Sequence, residues 1–86
     1  MGEILITFIK QSSAYKLAKT ARRYQIGAKV VQTPKELSIG GCSYGVLARR
    51  ADMHLLLNIC HNNGVEYKKV FAIYTDDGGK KIYSEV

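Results

Sequence analysis

The chain has 86 residues, which is enough for one domain with a single modest core. Apolar residues make up 47% of it and charged residues 23%, which excludes a disordered chain, and no apolar run reaches the roughly 20 residues of a membrane-spanning helix. The start of the sequence lacks the small-residue cleavage site of a signal peptide, so we expect a cytoplasmic protein. A net charge of +6 favours anionic partners, although a solvated basic surface explains it equally well.

The first third of the chain has the pattern of a strand followed by a helix. Residues 3–9 alternate between two largely apolar faces, which predicts a central strand. Residues 13–26 have apolar side chains at helical spacing and predict a helix. Ser12 and Ser13 are suited to cap its first turn, and Gly27 to end it in the left-handed conformation.

The order of strand, helix and strand then occurs a second time. Residues 28–32 predict the strand that closes the first unit. Residues 44–49 predict a strand, 52–63 a helix and 66–74 a further strand. Two consecutive β-α-β units predict an α+β fold, a ferredoxin-like βαββαβ two-layer sandwich.

The end of the chain predicts a hairpin. Asp76 and Asp77 precede two glycines in a strong turn signal, and the apolar-polar alternation after them predicts an extra C-terminal β-strand. A frayed tail is the alternative. We expect residues 1–74 to form the ferredoxin-like domain and residues 75–86 to form a hairpin extension of it.

A long irregular segment, residues 33–43, joins the second and third predicted strands and contains Cys42. Loops of about ten residues are uncommon in small domains and are often functional. In a ferredoxin-like sheet this loop lies at the edge where the first helix starts, so we expect Cys42 near Ser12 and Ser13. The free amides and positive end of that helix favour a thiolate over a thiol.

Residues around Cys42 strengthen this interpretation. Gly40 and Gly41 let the backbone bend close to the sulfur, Lys35 adds positive charge, and Pro34 stiffens the start of the loop. An exposed thiolate on such a loop could attack a persulfide and hold its outer sulfur or selenium atom. The alternative is a cysteine that only fills a turn.

A run of residues in this loop has the pattern of a known family: Thr33, Pro34, Lys35, Glu36, Leu37, Ser38, Gly41 and Cys42. The run resembles the signature of the selenium/sulfur carrier protein-like family of small bacterial proteins, which reads roughly Thr-Pro-Arg/Lys-Glu-Leu/Ile-Ser, a few small residues, and Cys-Gly-x-Ala. The resemblance covers about residues 3–74. It implies a carrier that holds a persulfide or selenopersulfide on Cys42 and exchanges it with donor and acceptor proteins, with no cofactor and no turnover chemistry of its own.

The sequence departs from the family pattern at two positions. Ser43 stands where the family usually has Gly, and Gly45 where it often has Ala. A positive φ at the first position would strain Ser43. The hydroxyls of Ser38 and Ser43 could offset the change by donating to the sulfur.

The second cysteine, Cys60, lies on the apolar stripe of the second predicted helix, so we expect a buried side chain. A resolving partner for Cys42 is the alternative. His54 and His61 lie on the opposite face and are expected in solvent. These cysteines and histidines match none of the usual zinc spacings, so no metal site is predicted.

A basic binding module for RNA or a protein, with Cys42 incidental, is the competing function. Tyr44 starts a strand that ends in Arg49 and Arg50, but the full pattern of an RNA recognition module is missing, so nucleic acid is not the favoured partner. The sheet face away from the helices needs cover for its apolar side chains, which we expect to be Leu5, Ile9, Val31 and Leu47. We expect a homodimer or the C-terminal hairpin to cover that face.

Overall fold

Two helices pack on one face of a five-stranded antiparallel sheet, in a computed structural model that describes residues 2–86. Met1, with which the predicted domain 1–74 begins, lies outside the described residues. The elements are β1 (Glu3–Phe8), α1 (Gln11–Arg23), β2 (Lys29–Gln32), β3 (Tyr44–Arg49), α2 (Met53–Asn62), β4 (Lys69–Thr75) and β5 (Lys81–Glu85). The strand order β2-β3-β1-β4-β5 confirms the predicted ferredoxin-like sandwich with an extra strand. Within residues 2–86, no helix is both long enough and apolar enough to cross a membrane.

The main core lies between the sheet and the two helices. Strand β1 is central because it pairs with both β3 and β4, and Ile6 lies opposite Val46 on one side and Val70 on the other. Side chains alternate across a strand, so Ile4, Ile6 and Phe8 all face the helices. The helices bury their apolar stripes against them, with Ala14, Leu17, Ala18 and Ala21 from α1 and Leu56, Ile59 and Cys60 from α2.

The ends of α1 differ from the prediction. The helix begins at Gln11 after Lys10, and no side chain caps it, so Ser12 and Ser13 lie within the first turn and are not caps. At the other end Gln25, not Gly27, adopts the left-handed conformation, with a φ of 60°. The N–H of Ile26 then bonds to the carbonyl of Ala21, which closes the helix in a Schellman motif.

The opposite face of the sheet carries a second, smaller apolar cluster, which we call the outer cluster. Its buried members are Leu5, Phe71 and Ile73, and Val31, Leu37, Leu47 and Tyr83 pack against them. Ile9 was expected here, but β1 ends before it and its side chain is half-exposed. Leu37 comes from the loop between β2 and β3, which therefore covers part of this face.

The C-terminal hairpin extends the sheet at the edge of β4. Strand β5 pairs along β4 from Phe71 to Thr75, so it lies beside the sheet, and Tyr83 is its contribution to the outer cluster. The side chain of Asp76 accepts hydrogen bonds from the N–H groups of Gly78 and Lys80, at 2.9 and 2.8 Å, as a turn residue does. Strand β4 begins at Lys69, later than the predicted start of 66–74.

Candidate functional site

The loop between β2 and β3 is built from two short 3-10 turns, Lys35–Leu37 and Ile39–Gly41. Its base is closed by the N–H of Thr33, which donates to the carbonyl of Ser43 at 3.0 Å and continues the pairing of the two strands. The first turn follows Pro34, whose fixed φ suits its position before a turn. The segment predicted as irregular therefore contains two short turns and has its own backbone hydrogen bonds.

Cys42 lies at the tip of a turn that two glycines make possible. Gly40 and Gly41 have φ values of 74° and 85°, a region that residues with a side chain rarely adopt. Cys42 follows with φ −78° and ψ 69°, and the N–H of Ser43 donates to the carbonyl of Gly41 at 2.9 Å. These values define an inverse γ-turn centred on Cys42.

The thiol of Cys42 is covered, whereas the sequence predicted an exposed one. The residue is only 5% exposed, although Gly40, Gly41 and Ser43 around it are exposed. Among the described residues, it belongs to neither the main core nor the outer cluster. Leu37 packs against the outer cluster and holds the loop down on the sheet.

The predicted supporting side chains have the following hydrogen bonds and exposure. The hydroxyl of Ser38 donates to the carbonyl of Lys35 at 3.1 Å, and the side chains of Lys35, Glu36 and Ser43 are exposed. None of the loop hydrogen bonds given above ends on the Cys42 sulfur. The expected strain at Ser43 is also absent, because Gln25 is the one residue other than glycine with a positive φ between 2 and 86.

The start of α1 faces a different feature, a groove of about 630 Å³ between the two helices and the segment before β4. Ser13 and Lys10 line it together with His61 and Tyr67, and Cys42 does not. The expected position of the thiol beside the α1 amides stays a prediction. Topology still brings both to one sheet edge, because β1 and β2 are each antiparallel to β3 and end on the same side.

Cys60 has the environment of a core side chain. It is 1% exposed on α2, and burial raises the pKa of its thiol from 9.0 to about 11. The prediction of a buried Cys60 is confirmed, and so are solvent positions for His54 and His61. Across residues 2–86, no group of three His, Cys, Asp or Glu side chains could hold a metal ion.

Two features of the site were missed from the sequence. Thr33 is 8% exposed and its hydroxyl oxygen has no hydrogen-bond partner, which costs free energy of folding. Gly45 leaves room for Leu5, because a Cβ at this position would lie 2.7 Å from the Leu5 Cδ1 atom. A glycine inside a predicted strand often marks such a close approach, so Gly45 could have indicated the contact with Leu5. Nothing in the sequence indicated that the hydroxyl of Thr33 would be buried without a hydrogen-bond partner.

The comparison with family models assigns the chain. The model described as "Putative Se/S carrier protein-like" matches residues 3–72. The chain belongs to this family. The match includes the whole loop that covers Cys42 and ends before the C-terminal hairpin. Searches of the curated proteins and of the solved structures each found no match.

Proposed function

We propose that this protein is a small carrier that holds a sulfur or selenium atom on Cys42 and passes it from a donor protein to an acceptor protein. The chain belongs to a selenium/sulfur carrier-like family and has two cysteines. The proposal is based on the difference between the surroundings of these two cysteines. Cys60 fills the core and burial raises the pKa of its thiol to about 11, so it is protonated at neutral pH. Cys42 lies outside both apolar clusters, on a turn formed by two glycines.

The transfer step is a thiol exchange and needs no oxidant. The Cys42 thiolate attacks the outer sulfur of a persulfide on the donor, which forms a sulfur–sulfur bond to Cys42 and breaks the one to the donor cysteine. The donor cysteine leaves as a thiolate and takes up a proton from solvent. A nucleophile on the acceptor repeats the attack on the outer sulfur and releases Cys42 as a thiolate. The protein carries the atom and catalyses no reaction on a substrate of its own.

Exchange requires the loop to open, because Cys42 is covered in the closed form. Leu37 is a half-buried apolar residue of the loop that packs against the outer cluster, and the buried Thr33 hydroxyl has no partner. Opening exposes that hydroxyl to water and recovers part of its lost hydration. A loop that is closed at rest and open on a partner slows the loss of the bound atom to other thiols during transit, although an excess of thiol still removes it.

Loading by a sulfur donor tests this function. Purified protein is incubated with a cysteine desulfurase and cysteine, and the products are analysed by intact mass spectrometry and peptide mapping. We expect wild type and the Cys60→Ser variant to gain the mass of one sulfur atom at Cys42. The Cys42→Ser variant stays unmodified. Loading that survives Cys42→Ser, or that maps to Cys60, contradicts the proposal.

A further inference from the structure

The charged residues on the solvent side of α1 are all basic. At 100° per residue, Lys16, Lys19 and Arg23 point directly away from the buried stripe of the helix, and Arg22 lies at their flank. We call these four residues the basic face of α1. The helix contains no Asp or Glu, so none of the seven acidic residues of the chain offsets this charge locally.

These cations repel one another along the helix. Lys19 is three residues after Lys16, three before Arg22 and four before Arg23, and side chains at these spacings are neighbours on a helix surface. The two ion pairs among residues 2–86, Arg49–Asp52 and Lys69–Glu85, lie elsewhere. Each pair of like-charged neighbours destabilises a helix, so these four cations lower the stability of α1.

Some of the four cations of the basic face have a local structural role. Arg22 and Arg23 lie in the last turn, where the helix dipole favours cations. The ammonium of Lys16 donates to the carbonyl of Asn63 at the end of α2, at 3.2 Å. Lys19 is in mid-helix and has neither role.

We propose that the basic face of α1 docks an acidic surface of the protein that exchanges the chalcogen atom with Cys42, an inference that rests on the proposed function. Opposite charge gives the complementarity that steers such encounters. Tyr15 and Tyr24 stand beside the face at 54% and 59% exposure, and Tyr and Arg are typical anchors of protein interfaces. The helix α1 starts at the sheet edge that carries the Cys42 loop, whereas Leu37 of that loop packs on the opposite face of the sheet. A partner bound to the basic face must therefore extend around this edge to reach Cys42.

A protein suits this face better than a nucleic acid. In this fold, bases stack on aromatic side chains of the open sheet face. Here Phe71 on that face is only 7% exposed, and the neighbouring Lys69 is paired with Glu85 at 3.4 Å. The cations of α1 lie in the helical layer, on the opposite side of the sheet from Phe71.

Lys19→Glu tests the docking surface, with Lys81→Glu on exposed β5 as a control of equal net charge. The probes are an oligo-glutamate peptide and an oligouridine, and binding is followed by backbone amide NMR shifts. We expect the peptide to shift α1 amides, and its affinity to fall about tenfold in Lys19→Glu and less than about twofold in Lys81→Glu. The same Lys19→Glu change should raise the melting temperature, because it replaces like-charged pairs with opposite ones, whereas a purely structural lysine would lower it.

Two results overturn the inference. One is peptide binding that Lys81→Glu weakens as much as Lys19→Glu. The other is oligouridine that binds the basic face more tightly than the peptide does, which assigns the face to nucleic acid.

Loading kinetics separate this inference from the function it rests on. If the desulfurase fails to load wild type, the carrier function is wrong, and the NMR titrations with the two probes still decide what α1 binds. If the desulfurase loads Lys19→Glu as fast as wild type, with the same salt dependence, the docking surface is wrong and the carrier function stands. A loading rate that falls about tenfold in Lys19→Glu alone supports both.

Discussion

Removing the anchor of the loop should make the Cys42 thiol accessible. Leu37 packs half-buried against the outer cluster, and Cys42 of the same loop is 5% exposed. Replacing a fully buried Leu by Ala costs about 2–5 kcal/mol, so a half-buried one should lose about 1.5 kcal/mol of closure. Since 1.4 kcal/mol is a factor of about ten, Leu37→Ala should raise the open population roughly tenfold.

Alkylation by iodoacetamide under native conditions measures this population. When the loop recloses faster than the reagent reacts, the rate at Cys42 follows the opening equilibrium, and peptide mapping separates it from Cys60. Leu47→Ala is the matched control, because Leu47 is a half-buried member of the same cluster on β3, outside the loop. We expect about tenfold acceleration in Leu37→Ala and less than about twofold in Leu47→Ala. Equal acceleration by both changes, or none by Leu37→Ala, would refute the anchoring role.

Three further changes test the packing and the backbone. Burial raises the pKa of Cys60 to about 11 against 9.0 for a free thiol, so the free energy of unfolding should fall by about 2 kcal/mol as the pH rises from about 9 to about 11. Urea titrations should show this loss in wild type and not in Cys60→Ala, and identical pH profiles would contradict it. Gly45→Ala places a Cβ 2.7 Å from the Leu5 side chain, so denaturation should show a net loss of about 1 kcal/mol, whereas a gain would mean that Leu5 moves freely. Gln25→Gly should raise stability by about 0.5–1 kcal/mol, because Gln25 has a φ of 60°, and a lower melting temperature would show that its side chain stabilises the helix end.

The fold was predictable because both periodicities are strong. The helical spacing of Ala14, Leu17, Ala18 and Ala21 and the alternation of β1 identify the faces that are buried in the structure. Element ends were less predictable. The Schellman motif at Gln25 depends on backbone hydrogen bonds that other residue types also form, so Gly27 was the more obvious signal.

The candidate loop was identifiable from its length, its glycines and its family resemblance, but its conformation was not. The burial of Cys42 depends on where its loop lies on the sheet, and Leu37 of that loop contacts strands that are distant in sequence. Local pattern carries no information on such a contact. The lack of a hydrogen-bond partner for the buried Thr33 hydroxyl is likewise a feature of the folded chain that local pattern does not reveal.

Discharge of a loaded protein is the most direct test of a carrier, because a stable modification of Cys42 would also gain sulfur. Protein loaded with heavy-isotope sulfur from labelled cysteine is freed of donor and mixed with an excess of a small thiol. We predict that the label appears on the added thiol and that Cys42 returns to the mass of the free cysteine. Sulfur that stays on Cys42, or label that never reaches Cys42, would contradict the carrier function.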